Sequence, residues 1–132
     1  MRIQEASMQS GMPAKTIRFY EDIGLVKPAT RASNGYRQFN EKDVRTLRFI
    51  QRARTLGFAV EDVQKLLSLW QNKRRASSKV KAMALEHVAV IEARIRKLES
   101  MKRTVLDLAD RCHGDNRPDC PIIDELAEGE NL

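Results

Sequence analysis

The feature of this sequence that most constrains its fold is a stretch of 32 residues, 79–110, that contains no glycine and no proline. As a single helix it would extend about 48 Å, which is more than a small domain can cover. Its apolar residues recur in steps of four and three: Ala84, Val88, Ile91, Ile95, Leu98 and Val105. This heptad pattern predicts a coiled coil. Because the chain has no second long helix, we expect a homodimer; the alternative is a stripe packed within the chain.

The N-terminal part of the chain begins with two short predicted helices. They cover residues 4–10 and 13–24 and are joined by a tight turn at Gly11. Helical spacing turns Ile17 and Tyr20 inward and leaves the basic residues on another face. Two short helices connected in this way are typical of a helix-turn-helix motif, although many helical proteins contain such a pair.

A basic hairpin is predicted directly after this helix pair. Asn34-Gly35 is a strong hairpin signal, since both positions tolerate a positive φ. Arg31, Tyr36 and Arg37 flank the turn. Cationic loops beside a recognition helix contact DNA phosphates, so we interpret the hairpin as a wing. An ordinary surface hairpin is the alternative.

Two further helices complete the predicted N-terminal unit. The third begins at Asn40, a good N-cap residue, and ends at Gly57; the fourth ends at Trp70, which we expect in the core. The predicted organisation is a winged helix-turn-helix domain in residues 1–70, a linker at 71–78, a dimerisation helix at 79–111, and a loop with a short C-terminal helix at 112–132.

The charges of the chain are unevenly distributed. Residues 1–57 carry a net charge of +6, residues 58–111 carry +5, and residues 112–132 carry −5. A basic body with an acidic tail suggests a polyanionic partner, most often nucleic acid. A merely solvated surface is the alternative interpretation.

Several classes of protein are disfavoured by what the sequence lacks. No apolar run is long enough for a transmembrane helix, and the first residues lack the apolar core of a secretion signal, so we expect a cytoplasmic protein without a membrane partner. We find no nucleophile–base motif, no glycine-rich phosphate loop and no HExxH motif. The chain is therefore not expected to be an enzyme.

The chain has two cysteines, and both lie in the stretch "CHGDNRPDCP" as Cys112 and Cys120. A disulfide, a metal site and coincidence are the three explanations. Cysteines remain reduced in the cytoplasm, so a pair of this kind indicates metal binding or redox activity more than a structural disulfide.

The stretch "KTIRFYEDIGLVKPATRASNGYRQF" resembles the winged-helix signature of the MerR family of bacterial transcription regulators. The loop "CHGDNRPDCPII" is similar to that of the copper-efflux regulators, the CueR/HmrR branch. The resemblance covers nearly the whole chain. It implies a mainly α fold, with an N-terminal winged helix-turn-helix, a long dimerisation helix that forms an antiparallel coiled coil with a second chain, and a C-terminal metal-binding loop.

The resemblance also implies a function. Regulators of this branch bind Cu(I), and often Ag(I) or Au(I), between two cysteines separated by seven residues. The dimer occupies a promoter with an over-long spacer. Metal binding lets it bend and untwist that DNA, so that RNA polymerase engages both promoter elements without direct contact and efflux genes are activated.

Individual residues carry over from the family. Cys112 and Cys120 match the metal ligands. Ser77 matches the place where divalent-metal sensors have a cysteine, and Lys81 matches a basic residue near the buried thiolates. The positions expected to contact or face DNA are Lys15, Thr16, Arg18, Tyr20, Arg31, Tyr36 and Arg37.

The chemistry of the cysteine pair agrees with a monovalent ion. Structural zinc prefers four nitrogen or sulfur ligands, whereas Cys112 and Cys120 supply two. Soft thiolates select Cu(I) and similar ions, and two of them suit a linear site. We expect His113, a neighbour in sequence, to remain at the surface. The net negative charge of the site calls for compensation by Lys81 and by the helix that opens at Pro121. A thiol–disulfide redox switch is the alternative function.

Overall fold

The structure is a computed structural model that describes residues 1–128. In this part the chain forms six helices and one two-stranded antiparallel sheet. In chain order they are α1 (Ile3–Ser10), α2 (Ala14–Asp22), β1 (Thr30–Arg31), β2 (Arg37–Gln38), α3 (Glu41–Thr55), α4 (Val60–Gln71), α5 (Ser77–Arg111) and α6 (Pro121–Glu128). The predicted mainly α fold, with its helix-turn-helix, wing and long helix, is confirmed. The expected fraying of residues 130–132 lies outside the described residues.

The chain divides into two compact units, Met1–Lys81 and the part from Ala82 onward. In the first unit, α1 and α2 form the helix-turn-helix around a turn at Gly11. Gly11 has a φ of 77°, which glycine adopts without a steric penalty, and its N–H donates to Ser7 O at 2.9 Å. The hydroxyl of Ser10 then accepts the N–H of Met12, whose side chain is fully buried. These contacts end α1 and direct the chain into α2.

The wing is a short hairpin in which Thr30 pairs with Gln38 and Arg31 with Arg37. The predicted hairpin is present, but Gly35 alone of its turn residues has a positive φ, at 84°. Asn34 instead accepts the N–H of Tyr36 through its side-chain oxygen, at 3.1 Å. The turn therefore differs from the two-residue type that an Asn-Gly pair favours, because the strands are joined by a longer loop of residues 32–36.

Helices α3 and α4 complete the first unit. Asn40 forms a reciprocal capping box with Asp43, as its identity as an N-cap residue predicted. The buried core draws on α1 to α4 and on two of the segments that connect the elements: Ala6, Met12, Ile17, Tyr20, Phe39, Val44, Leu47, Ile50, Ala53, Val63 and Leu67. Trp70, which we expected in the core, is 39% exposed and stacks on Phe49 with ring centroids 4.5 Å apart. Phe49 therefore covers one face of its ring, while the residue as a whole remains exposed.

Helix α5 runs from Ser77, two residues before its predicted start, to Arg111. Leu108 is its one buried residue in the described part of the chain. The heptad residues from Val88 to Val105 are exposed, from 37% for Ile91 to 61% for Leu98. A stripe of this length and exposure on a single chain is an uncovered apolar surface.

The last described element of the second unit is α6, which follows the cysteine loop. Pro121 occupies its first position, where the missing N–H costs nothing. We expected Ile122, Ile123 and Leu126 to anchor this helix on the body of the protein. Ile122 is half-buried, whereas Ile123 and Leu126 are exposed within this chain.

Candidate nucleic-acid interface and candidate metal centre

The exposed face of α2 carries the basic residues that the sequence pattern placed there. Lys15 and Arg18 are exposed, and Thr16 is half-buried. Ile17 and Tyr20 face the core, as helical spacing predicted. Tyr20 is only 6% exposed, so it holds α2 in place from beneath and presents little surface to a partner.

On the wing, Arg31 and Tyr36 are exposed, and Arg37 is half-buried. Arg31 donates from Nη1 to the carbonyl oxygen of Gly35 at 2.9 Å, which braces the hairpin turn. Arg31 and Arg37 therefore differ in environment, although they lie opposite each other on the two strands of the hairpin.

Arg37 forms an ion pair that sequence reasoning missed. Its Nε lies 3.3 Å from Oε1 of Glu21, whose side chain is only 3% exposed. Oε2 of Glu21 accepts the backbone N–H of Ala29 at 2.8 Å. A buried carboxylate needs partners of this kind, so Glu21 ties α2 to the wing. The available signal was its position: Glu21 lies four residues after buried Ile17, on the inward face of α2.

A concave surface lies between the start of α1, α2 and the wing. It has a volume of about 440 Å³ and is lined by Arg2, Ile3, Gln4, Arg18, Arg31, Gly35, Tyr36 and Arg37. The guanidinium carbon of Arg2 lies 4.0 Å from the centre of the Tyr36 ring, a cation–π contact. The structure thus brings four arginines together, and one of them, Arg2, was not predicted as a functional residue.

The two cysteines lie at the two ends of one loop. Cys112 follows α5 and Cys120 precedes α6, and their sulfur atoms are 3.8 Å apart. Both are free thiols and both are half-buried. The distance is far longer than the roughly 2.05 Å of a disulfide bond, so the sulfurs are adjacent but not bonded.

The start of α6 acts on the second cysteine. Hydrogen bonding from the backbone N–H of Ile123, and next from that of Ile122, lowers the pKa of the Cys120 thiol, with a smaller contribution from Cys112. Partial burial and the charge of Asp124 oppose this effect. The first N–H groups of a helix have no intrahelical acceptor, so they are available to stabilise a thiolate.

The other predicted residues of the metal centre are at the surface. His113 is exposed, as expected. Ser77, the first residue of α5, and Lys81, one turn further, are exposed and belong to the first unit, whereas Cys112 and Cys120 belong to the second. Within residues 1–128, no group of three or more histidine, cysteine, aspartate and glutamate residues is arranged to hold a metal ion. The same residues contain no helix that is long and apolar enough to cross a membrane.

The helix pair, the basic wing and the long helix define this chain as a winged helix-turn-helix protein. It belongs to the MerR family of helix-turn-helix transcription regulators. Residues 1–70 match the family model described as MerR HTH family regulatory protein, and residues 44–108 match the model described as MerR, DNA binding. The resemblance seen in the sequence is thereby confirmed.

Individual relatives agree with this assignment. The transcriptional regulator HmrR of Sinorhizobium medicae is 56% identical over 129 residues, which cover 98% of this chain and 88% of the relative. The heavy metal-dependent transcription regulator 2 of Rhizobium meliloti is 55% identical with the same coverage. Among solved structures, the transcription regulator PbrR691 from Ralstonia metallidurans in complex with lead(II) has a TM-score of 0.77 and 27% identity, and covers 96% of this chain and 98% of its own.

Proposed function

We propose that this protein is a Cu(I)-responsive activator of metal-efflux promoters, in which Cys112 and Cys120 hold the metal ion. The observation that supports it is the pair of free sulfur atoms, 3.8 Å apart, at the two ends of one loop. Ag(I) and Au(I) belong to the proposal because they share the charge and softness of Cu(I). The relatives named for heavy metals and for lead support a metal as the signal.

The spacing of the two sulfurs fits a single ion. Two sulfurs on opposite sides of an ion, with bonds of about 2.3 Å as in zinc–thiolate sites, would be about 4.6 Å apart. From 3.8 Å, the sulfurs of Cys112 and Cys120 need to separate by about 0.8 Å. A loop that contains Gly114 with a φ of 67° can accommodate a shift of this size by small rotations of its backbone.

The donor set supports a monovalent ion over a divalent one. Two thiolates are soft ligands, and the described residues supply no third donor beside them. Two thiolates and one monovalent ion carry a net charge of −1. The backbone N–H groups of Ile122 and Ile123 offset part of that charge. For the remainder we propose Lys81 of a second, antiparallel copy, with Ser77 of that copy in place of a third ligand.

We propose a homodimer because α5 leaves its heptad stripe uncovered. Apolar residues from Val88 to Val105 follow the spacing of a coiled-coil seam and are exposed along one chain. A second copy that packs antiparallel to the first would cover both stripes. The two copies would then present two winged helices to the two half-sites of one operator.

On DNA, we propose that α2 and the wing bind the promoter through Lys15, Thr16, Arg18, Arg31, Tyr36 and Arg37, while the buried ring of Tyr20 holds α2 in place beneath them. The cytoplasm, where promoter and RNA polymerase meet, is the location that this role requires.

The loop between Cys112 and Cys120 joins the end of α5 to the start of α6. A change in the separation of the two sulfurs therefore moves α6 relative to α5. The chain then has two conformations, and the bound metal shifts the balance between them. RNA polymerase responds to this shift through the bending of the DNA.

Metal binding can be tested with protein purified under reducing conditions. We expect one Cu(I) per chain in a competitive titration against a Cu(I) buffer, and two sulfur neighbours without nitrogen by X-ray absorption. A coordination shell that includes nitrogen from His113 would contradict the two-sulfur site.

DNA binding is tested with Arg18→Ala. This variant should bind all DNA sequences more weakly, and the slope of log affinity against log salt concentration should be lower by about one unit.

A thiol–disulfide switch on DNA is the second candidate. Two adjacent free thiols and the lowered pKa of Cys120 favour it, because a thiolate attacks an external disulfide. The second cysteine then displaces the mixed disulfide, so that the external disulfide is reduced to two thiols while the Cys112–Cys120 disulfide forms. Thiol counting beside the metal analysis distinguishes the two functions. A redox switch would lose two thiols per chain when DNA-dependent transcription changes in the absence of metal, whereas the metal sensor would retain both thiols.

A further inference from the structure

We propose that the concave surface between α1, α2 and the wing binds a phosphate of the DNA backbone, and that Arg2 is one of its ligands. The inference deepens the proposed DNA-binding function and rests on it. Arg2 precedes α1 and belongs neither to the recognition helix nor to the wing. Neither helical spacing nor the hairpin signal pointed to it.

The arginines around this surface differ in what already occupies them. Arg37 is paired with Glu21 at 3.3 Å, and Arg31 donates to the carbonyl oxygen of Gly35 at 2.9 Å. In the described part of the chain, neither Arg2 nor Arg18 has an ion pair. The charges of Arg2 and Arg18 are therefore available to an anion from outside the chain.

Tyr36 holds the guanidinium of Arg2 in place. The 4.0 Å distance between the guanidinium carbon and the ring centre is that of a stacked arginine. Stacking uses the face of the guanidinium and leaves its N–H groups free at the edge, where they donate to phosphate oxygens in pairs. Tyr36 thus orders a side chain that would otherwise lose conformational entropy on binding.

The first turn of α1 adds an electrostatic field that favours an anion at this surface. Ile3 and Gln4 line the same surface, and they are the first two residues of α1. Backbone N–H groups in the first turn have no intrahelical acceptor, and the helix dipole favours negative charge at this end. No side chain caps this end of α1.

The partner is a duplex phosphate because the surface is continuous with the proposed DNA-reading elements. Arg18 lies both on the exposed face of α2 and in the lining, and Arg31 and Tyr36 bring the wing to the other side. A phosphate that sits here would fix the position of the helix-turn-helix on the backbone without reading bases.

The first experiment measures operator affinity at several salt concentrations for Arg2→Ala and for Arg96→Ala. Both variants remove one positive charge from an exposed position, and Arg96 lies on α5 in the second unit. We expect Arg2→Ala to bind about 10-fold more weakly, with a salt slope lower by about one unit, and Arg96→Ala to match the wild type. Equal slopes for Arg2→Ala and the wild type would overturn the proposal.

The second experiment identifies the phosphate. Single phosphates of the operator are replaced one at a time by neutral methylphosphonates. We expect one position in each half-site where the replacement weakens the wild type but has no further effect on Arg2→Ala. Tyr36→Phe, which retains the ring, should behave as the wild type in this coupling, and Tyr36→Leu should lose it. If every replacement affects Arg2→Ala and the wild type equally, Arg2 is not a phosphate ligand. If the wild type binds no duplex, the proposed function itself fails.

Discussion

At the scale of single residues, Glu21 shows how a charged side chain contributes to the architecture of a DNA-reading unit. Its carboxylate is buried, accepts one backbone N–H and faces Arg37. Arg37 therefore has two roles to separate: a proposed contact with DNA and a contact that stabilises the fold. Removing one member of a buried pair leaves the other charge without compensation, which costs more than the pair itself contributes.

We predict that Arg37→Ala lowers the free energy of unfolding by about 1–3 kcal/mol, because it leaves the carboxylate of Glu21 buried and unpaired. Arg31→Ala is the matched control, since Arg31 is exposed, donates to a backbone carbonyl within its own hairpin and forms no ion pair with the described residues. Adding Glu21→Gln to Arg37→Ala should recover part of the loss, as the amide oxygen still accepts the N–H of Ala29. Urea unfolding followed by circular dichroism measures all three; equal midpoints for the two arginine variants would contradict the prediction.

Cys120 is the second residue whose environment determines its chemistry. Hydrogen bonding from the N–H of Ile123 favours its thiolate, so its pKa lies below the ordinary 9.0. A lowered pKa in the folded state means that this group stabilises the fold above its unfolded pKa. That contribution is lost as the pH falls through the folded value.

We predict that the alkylation rate of Cys120, measured with iodoacetamide in the Cys112→Ser variant, has a pH midpoint below 9.0. The depression should persist without Cys112, since the backbone of Ile123 is the larger cause. The same variant unfolded in urea is the control, because unfolding removes the start of α6. Coincident midpoints for the folded and unfolded protein would show that α6 does not act on this thiol.

At the scale of elements, α5 is a helix whose apolar face is left uncovered by the described residues of its own chain. Its 35 residues contain one buried side chain in the described structure, Leu108. Long helices gain most of their stability from packing of an apolar face, and this face is exposed on the isolated chain. The element is therefore expected to be stable only when the stripe is covered.

We predict that Ile91→Asp and Ile95→Asp each convert a dimer into monomers, because an aspartate in the seam would bury an unpaired charge. Operator binding should be lost as well, since each half-site alone is weak. Ala89→Asp is the matched control: Ala89 is exposed on α5 but lies outside the heptad seam. Sedimentation velocity at micromolar concentration measures the assembly; a monomeric wild type would contradict the predicted dimer.

At the scale of the whole molecule, the two proposed functions of the chain lie in different units. The helix-turn-helix and wing belong to the unit that ends at Lys81, and the cysteine pair belongs to the unit that begins at Ala82. DNA binding and metal binding should therefore be separable by substitution.

We predict that Cys112→Ser and Cys120→Ser retain the dimer and the operator affinity of the wild type but lose transcription in response to Cu(I). Each variant keeps one sulfur, which leaves the ion without its second soft ligand. In vitro transcription with a footprint of the operator measures both properties on the same DNA. His113→Ala is the control that should keep the response; full activation of the Cys120→Ser protein by copper would refute the assigned ligands.

The sequence by itself determined the features that depend on neighbouring residues. The turn at Gly11, the cap at Asn40 and the length of α5 follow from local backbone preference and helical spacing, and the structure agrees with them. These features were predictable because the relevant interactions span a few residues. That Cys112 and Cys120 lie in one short loop was likewise visible in the sequence. The distance of 3.8 Å between their sulfur atoms could not be predicted from it.

The tertiary structure alone decided which side chains meet across elements. Glu21 meets Arg37, and Arg2 stacks on Tyr36, because the packing of the wing against α1 and α2 brings distant parts of the chain together. Periodicity specifies which face of an element is buried, but not the angle at which two elements pack. For that reason the sequence predicted a basic DNA-reading surface, and only the fold distinguished Arg37, which pairs with Glu21, and Arg31, which donates to a backbone carbonyl, from Arg2 and Arg18, which form no ion pair within residues 1–128.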